Sequence, residues 1–145
     1  MNRNYVIPLN CNRILGKKTL PACNLEDSIK QFIHLIIYTS FGEYRFDRSI
    51  GCEIWNKNFD NIHSVSNWKD DLRNSILISI QKYEMRLSDV NITIDLKEQP
   101  IKNIENQISG KYRIKIIVKI AGIIIETNRE FLHWEYLLFS PLSMV

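Results

Sequence analysis

An α+β fold, with two main helices packed on a small antiparallel sheet that ends in a C-terminal β-hairpin, follows from three features of the sequence. Residues 25–38 carry apolar side chains at helical spacing. Residues 66–83 do so again, with a polar opposite side. From Val90 onward the apolar period drops to two, which marks half-buried strands.

The chain has 145 residues, 45% of them hydrophobic and 24% charged, enough for one globular domain with a real core. Nineteen basic and 16 acidic residues give a net charge of +3, too balanced to announce a nucleic-acid binder. Cys11, Cys23 and Cys52 form no C-x-x-C pair, which suits reduced thiols in the cytoplasm better than a disulfide framework. No apolar signal region precedes Pro8, and runs such as Leu35–Tyr38 and Gly122–Ile125 are far short of a membrane span. The expectation is a soluble, cytoplasmic protein with no direct membrane insertion.

Three segments are expected: an N-terminal arm over 1–24, a domain over 25–130 and an apolar C-terminal tail over 131–145. In the arm, Tyr5-Val6-Ile7 could form a short strand, but Pro8, Gly16 and Pro21 favour irregular chain. Asn24 is a fitting N-cap for the first helix, with Glu26 and Asp27 where the helix dipole favours negative charge. Ile29, Phe32, Ile33, Ile36 and Ile37 form its stripe, widened by Leu35, so most of its circumference should be covered. His34 in that setting is a partly buried histidine rather than a catalyst.

From Thr39 to Asn61 a long connection holds Gly42, Gly51, mixed charges and aromatics, with Glu43-Tyr44-Arg45-Phe46 as a possible hidden strand. The second helix is expected to be capped by Ser66 or Asn67, with Trp68, Leu72, Ile76, Ile80 and Tyr83 on its buried face. Val90, Ile92, Ile94 and Leu96 then alternate as a first long strand, and a linker containing Pro100 and Gly110 follows. Tyr112–Ile120 alternates again, and Ala121-Gly122 suggests a tight turn into Ile123–Thr127. One face of that hairpin is apolar, and the other carries the cationic row Arg113, Lys115 and Lys119, interrupted by Ile117. The tail from Phe131 is too apolar to be free; it either folds over the core or docks on a partner.

Chemistry is sparse. No phosphate loop surrounds Gly42 or Gly51, no G-x-S-x-G elbow is present, and His34, His63, His133 and the cysteines form no metal-ligand spacing, so no cofactor is expected. A glycosidase would need Glu84 as proton donor and a second carboxylate such as Asp47, Glu43 or Asp89. Arg86, two residues on, favours an ionised partner, whereas a general acid must hold its proton. Arg45, Arg48, Lys57 and the cationic row, interleaved with Tyr44, Phe46 and Trp55, sketch a weak nucleic-acid surface, blunted by Glu43, Asp47, Glu53 and Asp60.

The order of these features resembles a known family. An apolar helix leads into Thr39-x-x-Gly42-Glu43 and Arg45, then Ile50-Gly51-Cys52; a long second helix ends in Tyr83-Glu84-Met85-Arg86-Leu87, and a strand begins at Val90. This is similar to the sheath-initiator wedge proteins of contractile phage tails, often labelled "lysozyme-like", and their type VI secretion counterpart, TssE. The resemblance covers roughly Leu25 to Thr127, nearly all of the 25–130 segment, which is taken as the baseplate wedge (lysozyme-like) domain. It departs from the family pattern at Met85, where Glu-Pro-Arg is usual, and at Arg48-Ser49-Ile50, where a proline is common.

The resemblance implies assembly rather than catalysis: a non-enzymatic baseplate component of a type VI secretion-like injection machine. Glu84, Arg86, Gly42, Glu43, Arg45 and Gly51 become candidate wedge-docking residues, facing TssF-, TssG- and TssK-like subunits. Arg113, Lys115, Ile117, Lys119, Glu126 and Thr127 become the candidate hairpin that initiates the sheath, receiving the arms of TssB/TssC-like subunits by β-augmentation. Peptidoglycan cleavage using Glu84 and weak nucleic-acid binding are the alternative readings.

Overall fold

The computed structural model describes residues 3–55, 65–102 and 108–139. The elements run β1 (Asn4–Tyr5), α1 (Cys11–Leu15), β2 (Ala22–Cys23), α2 (Leu25–Tyr38), a 3-10 turn (Glu53–Trp55), α3 (Val65–Tyr83), β3 (Leu87–Lys102), β4 (Ile108–Ile124) and β5 (Arg129–Phe139). The long strands form one antiparallel sheet in the order β3-β4-β5, and β1 pairs with β2 separately. The fold is α+β, with a C-terminal hairpin of β4 and β5.

Asn24 caps α2 by accepting a hydrogen bond from Asp27 N at 2.7 Å. Ile29, Ile33, Ile36 and Ile37 are fully buried, where they meet Leu72, Ile76 and Ile80 of α3 and Ile116, Val118 and Ile120 of β4 in one core. Leu35, His34 and Tyr38 are exposed, so the covered stripe of α2 is narrower than its composition suggests.

The carbonyls that end α2 have no partner within the helix and must find one elsewhere. Leu35 O accepts from Thr39 Oγ1 at 2.6 Å. Ile37 O accepts from Trp55 Nε1 at 2.9 Å and Cys52 Sγ at 3.2 Å. The end of the helix therefore fixes the return of the loop. That burial also pushes the Cys52 thiol up to about 11, so it stays protonated.

Several sequence expectations change. Glu43–Phe46 forms turns instead of a strand. Ser66 and Asn67 lie inside α3 rather than before it. The arm contains β1, α1 and β2, so it is less irregular than expected. Pro100 and Gly110 belong to β3 and β4, while the residues between Lys102 and Ile108 lie outside the described ones, as do His63, Lys57 and Asp60.

The largest correction concerns the hairpin. Ala121 and Gly122 are strand residues paired with Leu132 and Phe131. Gly122 is small because β3 bulges between Ser88 and Asn91, bringing Ser88 O within 3.0 Å of where a Cβ would sit. The turn falls at residues 125–128, closed by Asn128 N donating to Ile124 O at 2.8 Å, with Asn128 at a φ of 51°. Glu126 and Thr127 are thus turn residues, and the segment from Arg129 to Phe139 is strand β5.

Candidate functional site

The loop after α2 is closed at its neck. Cys52 N donates to Thr39 O at 3.0 Å, and Ser40 and Cys52 form a parallel bridge. Gly51 sits in that neck at a φ of +121°, where an added Cβ would lie 2.4 Å from Thr39 O. Its carbonyl accepts from Ser79 Oγ of α3 at 2.5 Å. Gly42 also has a positive φ, +84°, but open space around it, and its N–H donates to Arg48 O at 2.9 Å. Glu43 accepts from Ser40 N at 2.8 Å, which folds the turn from within.

Beyond the neck the tip is exposed. Tyr44 and Phe46 meet edge to face at 5.6 Å, and the Arg45 guanidinium lies 5.4 Å from the centre of the Phe46 ring. The far side of the loop is fastened to the end of α3. Asp47 accepts from Tyr83 Oη at 2.6 Å and from Ser49 Oγ and N at 2.7 and 3.0 Å. These bonds hold the Asp47 carboxyl down at about 2.

Lys82 Nζ lies 2.6 Å from Ser49 Oγ, an approach that could suggest a serine–lysine dyad. Hydrogen bonding to Tyr83 raises Lys82 above its ordinary value, so it remains an ammonium and cannot take the serine proton. The cluster is a clasp.

One residue past α3 stands Glu84, 2% exposed. Arg86 grips it with Nε on Oε1 at 2.7 Å and Nη2 on Oε2 at 2.5 Å, and Arg86 N donates to Oε1 at 3.2 Å. Arg86 Nη1 continues to Ser28 Oγ of α2 at 2.9 Å. The hydrogen bond to Glu84 raises Arg86, outweighing its partial burial. Arg86 O accepts from Ile125 N at 3.0 Å, so the β4–β5 turn abuts the same junction. Both carboxylate oxygens are occupied and shielded, the opposite of a proton donor poised over a sugar cleft. Met85, between them, is 79% exposed.

The predicted residues therefore fall into two groups. The loop, the end of α3 and the Glu84–Arg86 pair are joined through Asp47–Tyr83 and Gly51–Ser79, with the turn holding Glu126 and Thr127 against Arg86. Arg113, Lys115, Ile117 and Lys119 lie on the sheet face opposite the buried Ile116, Val118 and Ile120 and the half-buried Ile114. They also lie on the central strand, so the open edges of the sheet belong to β3 and β5.

With that architecture in view, sequence comparison is decisive. A family described as "Baseplate wedge protein gp25" matches residues 23–122. The chain belongs to the gp25 baseplate wedge family. The matched span holds α2, the loop, α3, β3 and most of β4. Among solved structures, a proposed tail lysozyme from Geobacter sulfurreducens matches with a TM-score of 0.57 at 17% identity, covering 84% of this chain and 97% of that one. At that identity the likeness shows a shared fold. A chain of the baseplate complex from the type VI secretion system matches more loosely, with a TM-score of 0.48 at 19% identity over 78% of this chain and 90% of that one. A search of curated protein sequences finds no match.

One cluster had no sequence signal. Glu135, on the core face of β5, accepts from His133 Nε2 at 2.7 Å and lies 3.1 Å from His34 Nδ1 of α2. Burial works against its charge, but the bonds from His133 and His34 outweigh it and hold Glu135 below the usual carboxylate range. His34 is separated from Glu135 by 101 residues, and it is exposed rather than partly buried. Tyr38 Oη also donates to Tyr136 O at 3.2 Å, so α2 fastens β5 at two points. Among the described residues no group of His, Cys, Asp and Glu is arranged to hold a metal, and no helix is long and apolar enough to cross a membrane.

Proposed function

We propose that this protein is a non-enzymatic wedge subunit that joins the baseplate of a contractile injection machine to its first sheath ring, by accepting a sheath strand along β5. The observation that carries the sheath role is the contrast between the two open edges. The β3 edge is bulged at Ser88–Asn91 and holds Pro100 and the charged Asp95, Lys97 and Glu98, all devices that discourage strand addition. β5 pairs with β4 in unbroken register from Ile114–Phe139 to Ile124–Arg129 and contains no proline. Tyr136 O accepts from Tyr38 Oη, outside the sheet, which places the Tyr136 carbonyl away from β4 and leaves the second of its two acceptor positions for an incoming N–H. In an antiparallel strand, the neighbours two residues away point their backbone groups the same way.

The docking end is the loop and junction. Glu84 and Gly51 act from beneath, by fixing the shape; Tyr44, Arg45, Phe46, Met85 and Arg86 present it to TssF-, TssG- or TssK-like wedge subunits. TssB/TssC-like sheath arms are the partners at β5, in the cytoplasm. The locked Glu84 supports the absence of glycosidase activity. Co-purification of tagged protein with its wedge subunits tests the docking end. Arg45→Glu combined with Met85→Asp, both at exposed positions, should leave a folded protein that no longer co-purifies. Full recovery of the wedge subunits with that variant would remove the assignment, and so would turbidity loss of a peptidoglycan suspension abolished by Glu84→Gln.

A further inference from the structure

The outer face of the sheet, opposite the helices, is built differently on its two sides. On β3 the outward residues are Asn91, Thr93, Asp95, Lys97 and Gln99, all exposed and polar, as expected of a solvated sheet face. On β5 they are Leu132, Trp134, Tyr136 and Leu138, between 41% and 58% exposed. Four successive outward positions of one strand are therefore apolar or aromatic. Scattered exposed apolar residues are ordinary, but an unbroken row beside a properly polar strand of the same sheet marks a contact surface.

The register says what lies beside that row. Thr93, Lys119 and Trp134 form one line across the three strands; Asp95, Ile117 and Tyr136 form the next; Lys97, Lys115 and Leu138 form the third. Lys119 Nζ sits 5.9 Å from the centre of the Trp134 ring, and Lys115 Nζ 4.7 Å from that of Tyr136. Lys97 and Lys115 are directly opposed, a like-charge pairing that disfavours the isolated sheet. Arg113, opposite Gln99, adds a fourth cation, and Asp95 is the single acid in these rows. Among the described residues, none of the four cations makes an ion pair.

We propose that this face is a docking surface for an acidic amphipathic segment of a partner protein, its apolar side chains lying on Leu132, Trp134, Tyr136 and Leu138 and its carboxylates between Lys97, Arg113, Lys115 and Lys119. Charge complementarity chooses the occupant. A second copy of this chain would set four cations against four, and a nucleic acid would have to displace lysines that already cover the two rings through cation–π contact. Leu132 to Leu138 spans about 20 Å of strand and three strands about 10 Å across, the footprint of roughly 12 residues of helix. The surface is a face read by side chains, distinct from the β5 edge read by backbone, and it stands whether or not that edge receives a sheath strand.

Selection of random 12-residue displayed peptides on the immobilised full chain tests this, followed by fluorescence anisotropy of the most enriched peptide. Enriched peptides should carry at least two net negative charges interspersed with aromatic or aliphatic residues. Lys115→Glu combined with Lys119→Glu should weaken binding at least tenfold while leaving the rings in place. Trp134→Ser combined with Tyr136→Ser should do the same, with unchanged circular dichroism in both variants. The proposal fails if no peptide or only neutral and basic peptides are enriched, or if both variants bind normally. It fails equally if a 20-nucleotide poly-dT strand binds the face more tightly than the peptide, if light scattering shows a dimer that Lys119→Glu dissociates, or if peptides bind only after deletion of residues 140–145.

Discussion

Cutting Arg86 back to alanine should damage this protein more than cutting back the carboxylate it holds. Glu84 is 2% exposed and takes both of its side-chain hydrogen bonds from the Arg86 guanidinium, at 2.7 and 2.5 Å. Arg86→Ala leaves a buried carboxylate with only the backbone N–H of residue 86, at 3.2 Å. Stranding a buried charge in this way costs about 3 kcal/mol or more. Glu84→Ala strands the guanidinium instead, but that side chain is 35% exposed and still reaches Ser28, so water takes over part of the solvation. A cost of about 1–2 kcal/mol is expected. Replacing both by methionine removes the desolvated charges together and should fall within about 1 kcal/mol of the parent. Urea unfolding followed by the fluorescence of buried Trp68 reads all three variants. With a slope of about 2 kcal/mol per molar, Arg86→Ala should shift the midpoint down by about 1.5 M. Equal losses in the two alanine variants, or a double variant as weak as their sum, would refute the idea that the pair is a coupled buried clasp.

Other consequences follow from the loop. Gly51→Ala should cost about 3 kcal/mol or more, because a Cβ would overlap Thr39 O at a strained φ, whereas Gly42→Ala, strained but uncrowded, should cost about 1 kcal/mol. Thermal unfolding separates them at roughly 3 °C per kcal/mol. Asp47, held at about 2 against about 4 in the unfolded chain, contributes stability that is fully present above pH 4 and is lost as pH falls through about 2. Asp47→Asn should flatten that acid limb in melts recorded from pH 5 to pH 2; an unchanged slope would mean the clasp is not formed in solution. Glu135, also held below its usual range, follows the same sign, and Glu135→Gln should reduce the loss of stability on acidification below about pH 4.

Much of the core was legible because burial imposes a period. The Asn24 cap, the isoleucines of α2 and the stripe Trp68, Leu72, Ile76 and Ile80 were all recoverable from spacing alone. What misled was local chemistry with a distant cause. Gly122 looked like a turn, but it is a glycine because of a bulge in β3 more than thirty residues earlier. Apolar content marked Phe131 onward as a segment that folds over the core or docks on a partner; β5 is the first of these over Phe131–Phe139, and only pairing with β4 reveals that alternate residues face opposite ways. Glu84 and Arg86 were visible as a pair two residues apart, yet their engagement with each other and with Ser28 depends on how α2 meets the end of α3. The His34–Glu135–His133 cluster had no sequence signal, since its members come from opposite ends of the chain.

The central claim is that β5 offers its edge to the sheath, and Leu138→Pro, compared with Leu138→Ala, which trims the same outward side chain but keeps the N–H, tests it most directly. Leu138 lies two residues from Tyr136, whose carbonyl faces away from β4, so proline there removes an edge donor while leaving the β4 ladder intact. In cells making fluorescent sheath subunits, the variant should still enter the baseplate, judged by co-purification with wedge subunits, while the number of assembled sheaths falls at least tenfold. Wild-type numbers of full-length sheaths with Leu138→Pro in place would contradict the account.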